Sequence, residues 1–557
     1  MDKHAYEHSK LRPNGADSSH KDESGHNDNI EETRSIKSDS TTSFELAKTP
    51  WRYKAVVLLC CLFMSMGSHY ANNTLSSLKS TLKKDLHITN TQFGALTSTV
   101  FLINTIMPFI GGVAMDTLGT GSGAILSTMF VLVGSILAGV AAVSGKYGVL
   151  VLSRVVFGLG SGFVVTVQEV ILSHWFRGTG LGTVIGLQIA VSKFAQWLAQ
   201  TTVLPIRDAT GHYANSFWVA SGLCGVSLVL VLIYLAVLRR ATRYAAIHNN
   251  DTNNGAAVAE SKVNGSSDDE DDDEHDRKPK STFQAFKKAI SNISRIPDAY
   301  WIIPFNNFAL GSVWTPFLLI AVEFLQLRWK QSDVVAAWTS SISLAIPIAT
   351  SPLVGLFIDR FGQRGQLAIF SAVLLVLSQI LLSYTWAHPL AGMTLFSLSI
   401  VFGPVSITSG VALTVPPKYL GAAMGIAKLG LNTGVALFDV VVGLVQDGTP
   451  GGGYERVSVM FLIMSCIGVL TTAVYSYIDY TRLDGVMNAS HSTRTKILEK
   501  RAAKHKKEEE DRRDGAVKTP KTLGLPLRPT QIVIYATTFA LFVLAWVMYC
   551  VFLFGKS

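Results

Sequence analysis

Six apolar runs, a charged gap, six more apolar runs and one last run constrain this chain of 557 residues more than any other feature. The runs fall at about 53–77, 92–115, 121–143, 148–174, 179–205 and 215–238, then 299–325, 332–358, 366–387, 390–415, 419–446 and 456–480, with the last at 531–554. A helix needs about 20 apolar residues to cross a hydrocarbon core of roughly 30 Å, and each run is that long. Only 16% of the residues are charged, and they gather in the tails and the gap. In lipid the backbone must satisfy its own hydrogen bonds, so these runs predict helices. The expected fold is an all-α polytopic membrane protein. It comprises a disordered cytosolic tail (1–52), a six-helix bundle (53–238), a charged cytosolic linker (239–298), a second six-helix bundle (299–480), a charged cytosolic segment (481–530) and an additional transmembrane helix (531–554).

Charge sets the orientation. With the N-terminus cytosolic, Arg52, Lys54, Arg177, Arg239, Arg240, Arg243, Arg360, Arg364 and Lys418 fall inside, against fewer cations in the short outer loops, Lys79, Lys83, Lys84 and Arg207 among them. That is the positive-inside pattern, so the net charge of +9 marks topology and no nucleic acid partner is expected. The polar first 50 residues lack the apolar stretch of a cleavable signal peptide. All five cysteines sit in apolar runs without metal-ligand spacing, and no metal or cofactor is expected. "DDEDDDEHDRKPK" (268–280) has the composition of a solvated linker.

A repeat ties the two halves together. Gly355-xxx-Asp359-Arg360-x-Gly362-x-Arg364 ends the second run of the second half, and Gly112-xxx-Asp116 stands at the matching place in the first, with Thr117 where an arginine would complete it. A carboxylate at such a bend can face the positive N-terminal end of a neighbouring helix. A further pattern, Arg154-xxx-Gly158-x-Gly160, opens the fourth run. With these motifs the chain resembles the major facilitator superfamily across 53–480. The resemblance implies the major facilitator fold and a cytosolic latch between halves that holds an outward-open state. Asp116, Asp359, Arg360 and Arg364 are then gating residues, with the first copy degraded.

Polar residues inside the runs show which helices line a pathway. An ionisable group at the bilayer centre costs about 2.5 kcal/mol or more and persists where it faces a cavity or partner. The third, sixth and twelfth runs carry none centrally and the ninth has only Gln379, so every third span is expected to face lipid. Helical phase puts Lys193, Gln196 and Gln200 on one face of the fifth span, and His69, Asn72, Asn73 and Ser76 on one face of the first. Lys428, Asn432 and Asp439 share a face of the eleventh, and Gly158, Gly162 and Glu169 one of the fourth. Isolated amides in spans often bond a neighbouring helix instead of a solute. Lys193 stands out: about 14 residues from the cytosolic end, it lies near the midplane, where transporter sites form. An unpaired ammonium there needs an anion, which a substrate carboxylate supplies; the alternative is a lysine held neutral by burial. Glu169, five residues from the cytosolic end of its span, is expected at the inner gate.

Within the superfamily, "SRVVFGLGSGFVVTVQEVILSHWFRGTGLGTVIGLQIAVSKFA" (153–195), "SPLVGLFIDRFG" (351–362) and "VPPKYLGAAMGIAKLGLNTGVALFDVVVGLVQD" (415–447) are similar to the lysosomal dipeptide transporter group. That group's acidic residue in the fourth span falls on Gly162, its arginine in the fifth on Lys193, and its acidic residue late in the first on Asn73. A carboxylate-binding cation is kept, while the acid that would hold a peptide amine is absent, and Glu169 lies about two turns from Gly162. Lys193, Gln196, Asn73, His69 and Asn432 are the candidate substrate-binding residues. The expected function is a uniporter or proton-linked carrier of dipeptides or related carboxylates on a vacuolar or lysosomal membrane. Its transport unit would be monomeric, in the lipid bilayer, with an accessory membrane protein implied by the resemblance. Two other readings stay open: a plasma-membrane carrier of monocarboxylates or organic anions, and a non-transporting sensor or scaffold working through the charged tails. No nucleophile–base pair, metal cluster or phosphate loop points to an enzyme.

Overall fold

The computed structural model describes residues 50–176, 181–259, 296–415, 420–490, 492–494, 496–497, 540 and 543–551. The expectations for the N-terminal tail, the acidic stretch of the linker and 498–530 lie outside the described residues.

The first run forms two helices, Trp51–Met64 and Met66–Ser77, that meet at Ser65 and continue beyond the run as Lys79–Leu86. Helical structure then runs from Asn90 to Ser144, yet its ends meet, because the Tyr147 hydroxyl donates to the Gln92 carbonyl at 3.0 Å. The second and third spans are therefore an outgoing and a returning arm of one hairpin. The hairpin begins at a capping box, in which the Thr89 hydroxyl accepts from Gln92 N and the Gln92 side chain accepts from Thr89 N, and ends at Gly145 with φ 64°. The remaining spans are Tyr147–Phe176, Leu181–Thr210, Ala214–Ala259, Ile302–Trp329, Asp333–Phe361, Arg364–Tyr384, Pro389–Thr414, Leu420–Asp447 and Glu455–Arg482. The sixth helix outlasts its apolar run and enters the stretch read as linker, where Ala241, Ala245 and Ala246 favour helix.

Among the described residues ten helices are long and apolar enough to cross a membrane. The fifth is not one of them because Gln188, Lys193, Gln196 and Gln200 lower its hydropathy. The second and thirteenth are described only in part.

Burial sorts the helices only in part: the third and ninth spans, at 50% and 44%, are no less buried than the fourth and eighth, at 44% and 39%. The apolar window of the seventh span is 83% buried within the protein, against 28% for the sixth and 33% for the twelfth. Large apolar side chains stand outward on the third (Val133, Val140), sixth (Val226, Val229), ninth (Phe370, Leu377) and twelfth (Ile463, Leu470) spans. The two halves touch along two seams. On one, glycine removes the side chain where the second and eleventh spans cross: Gly94 lies on the Asp439 backbone and Gly443 on Asn90 and Thr91. On the other, the fifth span meets the eighth, where Gln200 Nε2 donates to Ser340 Oγ at 2.7 Å. Helical residues 543–551 of the thirteenth span sit on the first of these seams. Ala545 and Tyr549 pack with Ala95 and Leu102 of the second span and Ala436 and Val440 of the eleventh.

Candidate functional site

The first and fifth spans bring four of the predicted residues together. Asn73 Nδ2 donates to the Gln196 carbonyl at 2.9 Å and reaches Gln200 Oε1 at 3.5 Å, while Gln196 Nε2 lies 3.5 Å from His69 Nδ1. Ser77 closes the group, its hydroxyl 3.2 Å from the Asn73 carbonyl and 3.4 Å from Gln200 Oε1. Lys193, one turn before Gln196 and so on the same face of the fifth span, is half-buried. Among the described residues no hydrogen bond or ion pair reaches its ammonium. A cation beside a polar, mutually satisfied cluster can take a carboxylate without first breaking a protein ion pair.

Asn432 lies elsewhere. Its Nδ2 donates to the Asn104 carbonyl at 3.0 Å, across the seam between the eleventh and second spans. Below it, towards the inner end, Lys428 Nζ is 3.3 Å from both carboxylate oxygens of Glu169, with about two-fifths of each side chain exposed. The expected inner-gate position of Glu169 thus gains a partner from the other half.

The outer end is sealed by residues that sequence reading took only as topology markers or passed over. Lys79 Nζ meets Glu323 Oε2 at 2.7 Å, Gln446 Oε1 at 3.0 Å and Tyr454 Oη at 2.8 Å. Lys83 adds a second ion pair to Glu323 at 3.0 Å, and the Tyr454 hydroxyl donates to the same carboxylate. Burial pushes the Lys79 ammonium below the ordinary lysine range, with the Glu323 charge pushing back. Arg207 joins the fifth span to Asp333 of the eighth at 2.8 Å, and Asp447 accepts from the backbone and side chains of Asn90 and Thr91 at 2.6–3.0 Å. The signal available in sequence was an acid, Glu323, late in an apolar span, with lysines just past the end of another.

At the inner end, among the described residues, the intact latch motif makes its contacts within the C-terminal half. Arg364, 3% exposed, donates to Ser409 Oγ at 3.0 Å and to the Met487 carbonyl at 3.5 Å, with Asp359 at 3.8 Å. Arg360 is exposed and lies over the Phe361 ring. Among the described residues these contacts stay within the C-terminal half and hold the segment after the twelfth span. That segment is also gripped by Asp479, which accepts from Met487 N and Asn488 N. Among the described residues the motif therefore makes no contact with the N-terminal half, whereas Glu169 and Lys428 do pair across the halves towards the inner end. Asp116 lies on the Asn90–Ser144 hairpin at a position whose side chain is outside the described residues. Arg154 is 2% exposed and lies 5.4 Å from the Phe157 ring.

The family profile described as Major Facilitator Superfamily matches residues 58–324 and 299–556. Over 454 residues the chain is 24% identical to the lysosomal dipeptide transporter MFSD1 of Danio rerio, covering 80% of this chain and 91% of that one. The MFSD1 of Homo sapiens is 23% identical over 457 residues, 80% and 90% of the two chains. A shorter match, 28% over 136 residues, covers 24% of this chain and 31% of the hexuronate transporter of Bacillus subtilis. Among solved structures, the nucleoside transporter NupG superposes with a TM-score of 0.55 at 15% identity, covering 76% of this chain and 98% of that one. The D-xylose-proton symporter gives 0.56 at 14%, covering 76% and 97%.

Proposed function

The chain belongs to the major facilitator superfamily, and from that premise we propose that it moves small carboxylate-bearing solutes, dipeptides foremost, by alternating access across a lysosomal or vacuolar membrane. The observation that carries this reading is Lys193, half-buried and without a hydrogen bond or ion pair among the described residues, one turn from the Gln196 that contacts Asn73 and His69. Lys193 binds the solute carboxylate, and the amides and His69 bind the peptide group or the amine. The relatives' printed names supply the solute class and the membrane.

Binding is followed by rocking of the halves around this site. Opening outward breaks the Lys79–Glu323 and Arg207–Asp333 pairs and parts the second span from the eleventh. Closing the inner end brings Glu169 and Lys428 inward, and Asp116, Asp359, Arg360 and Arg364 then serve as the latch. Asn432 guides the seam between the second and eleventh spans as it slides.

A second reading, an organic-anion carrier, is favoured by one observation: Gly162 and Asn73 stand where a peptide amine would find an acid. Uptake into liposomes holding the purified full chain separates the two. The proposal expects saturable uptake of dipeptides; transport of lactate-like acids or uronates with none of a dipeptide panel would favour the anion carrier.

A further inference from the structure

Asp439 lies in the eleventh span at the point where that span touches the second. It is 5% exposed, and its Oδ2 has no hydrogen-bond partner among the described residues. It lines a small cavity with Lys79, Asn90, Phe93, Thr97, Leu319 and Ile320, with room for about one water molecule. A buried carboxylate without donors is costly, so the oxygen needs a proton or a cation. The cavity is too small for a solute, and Lys79 on its wall repels a metal ion.

The neighbours support a proton. The Thr97 hydroxyl donates to the Gly94 carbonyl at 2.9 Å. That hydroxyl is thereby committed to the backbone, and no hydrogen bond from it to Asp439 is present among the described residues. The other charged and titratable groups nearby are otherwise engaged. Lys79 is bound by Glu323 and Tyr454, and Asp447, about two turns along the same helix, by Asn90 and Thr91. Tyr549 of the thirteenth span bonds Thr99, and the seventh span lines the cavity with Pro316, Leu319 and Ile320, its Glu323 being paired with Lys79.

We propose that Asp439 is a proton-binding site that must be loaded for the outer gate to shut. Neutral, it leaves Lys79 to Glu323 and lets the Gly94 and Gly443 contacts close over it. When those contacts part, Asp439 meets outer water and gives its proton to it. The carboxylate then competes with Glu323 for Lys79 and holds the gate open until a proton returns from the same side. This rests on the alternating-access reading but on neither solute class.

Infrared difference spectroscopy on the full chain in lipid tests it without any substrate. Wild type and Lys193→Ala should show a protonated-carboxyl band at neutral pH that is lost in Asp439→Asn. Absence of the band from wild type, or its survival in Asp439→Asn, would overturn the proposal. For whichever solute the protein carries, raising the pH on the outer side should slow entry from that side in wild type, and Asp439→Asn should lose this dependence. An equal dependence in both proteins would overturn the gating role, whether or not the solute is a dipeptide.

Discussion

Lys79 Nζ lies 2.7 Å from Glu323 Oε2, joining the outer extension of the first span to the seventh, and both side chains are nearly sealed from solvent. This pair, with Lys83 and Tyr454 around it, is the principal bolt between the halves at the outer end.

Removing one partner of a buried ion pair leaves an uncompensated charge, at about 3–5 kcal/mol. Glu323→Gln should therefore shift the protein strongly towards an outward-open form. Spin labels on exposed Lys84 and Ser332, at the outer ends of the two halves, should move apart. An unchanged distance distribution would show that other contacts hold the gate.

The inner pair behaves differently. Glu169 and Lys428 are each about two-fifths exposed, and such pairs contribute about 0–1 kcal/mol. Glu169→Gln should change uptake less than about fivefold, and the swap Glu169→Lys with Lys428→Glu should restore it. A complete loss in the swap would mean that Glu169 does more than pair.

Lys193→Ala removes a charge-assisted hydrogen bond to the solute, about 1.5–3 kcal/mol, which is roughly a tenfold to hundredfold weaker half-saturation in liposome uptake. Melting temperature and targeting should hardly move. Lys193→Arg should retain part of the activity. Uptake by Lys193→Ala equal to wild type would make this lysine structural.

Arg364→Ala should loosen the segment after the twelfth span, since Arg364 bonds Ser409 and the Met487 carbonyl from a buried position. The loss of those hydrogen bonds amounts to about 1–3 kcal/mol. Limited proteolysis should gain a cut between 483 and 497, and protection equal to wild type would contradict the anchoring role.

The sixth and twelfth spans were legible as peripheral because lipid permits almost no polar side chains; the third and ninth, equally empty of them, are no less buried than the fourth and eighth, because apolar helices also pack on one another. Glu169 was legible as an inner residue from its distance to the span end, but Lys428 was not its obvious partner, being 259 residues away. Shared helical phase suggested that Lys428 and Asn432 act together; in the structure one meets a carboxylate of the fourth span and the other a carbonyl of the second. The outer gate was the main omission. Lys79, Lys83 and Arg207 read as loop charges because positive-inside counting ignores what faces them, and Glu323 is 244 residues from Lys79, a separation no local pattern bridges. The latch motif was visible as a motif, yet its present partner, the backbone near Met487, carries no side-chain signature.

The central claim is that Lys193 receives a carboxylate from the transported solute. Binding of a dipeptide and of its C-terminally amidated analogue to purified wild type and Lys193→Ala tests it most directly. The account predicts that wild type prefers the free carboxylate by tenfold or more and that Lys193→Ala loses the preference. Equal binding of both ligands to wild type would contradict it.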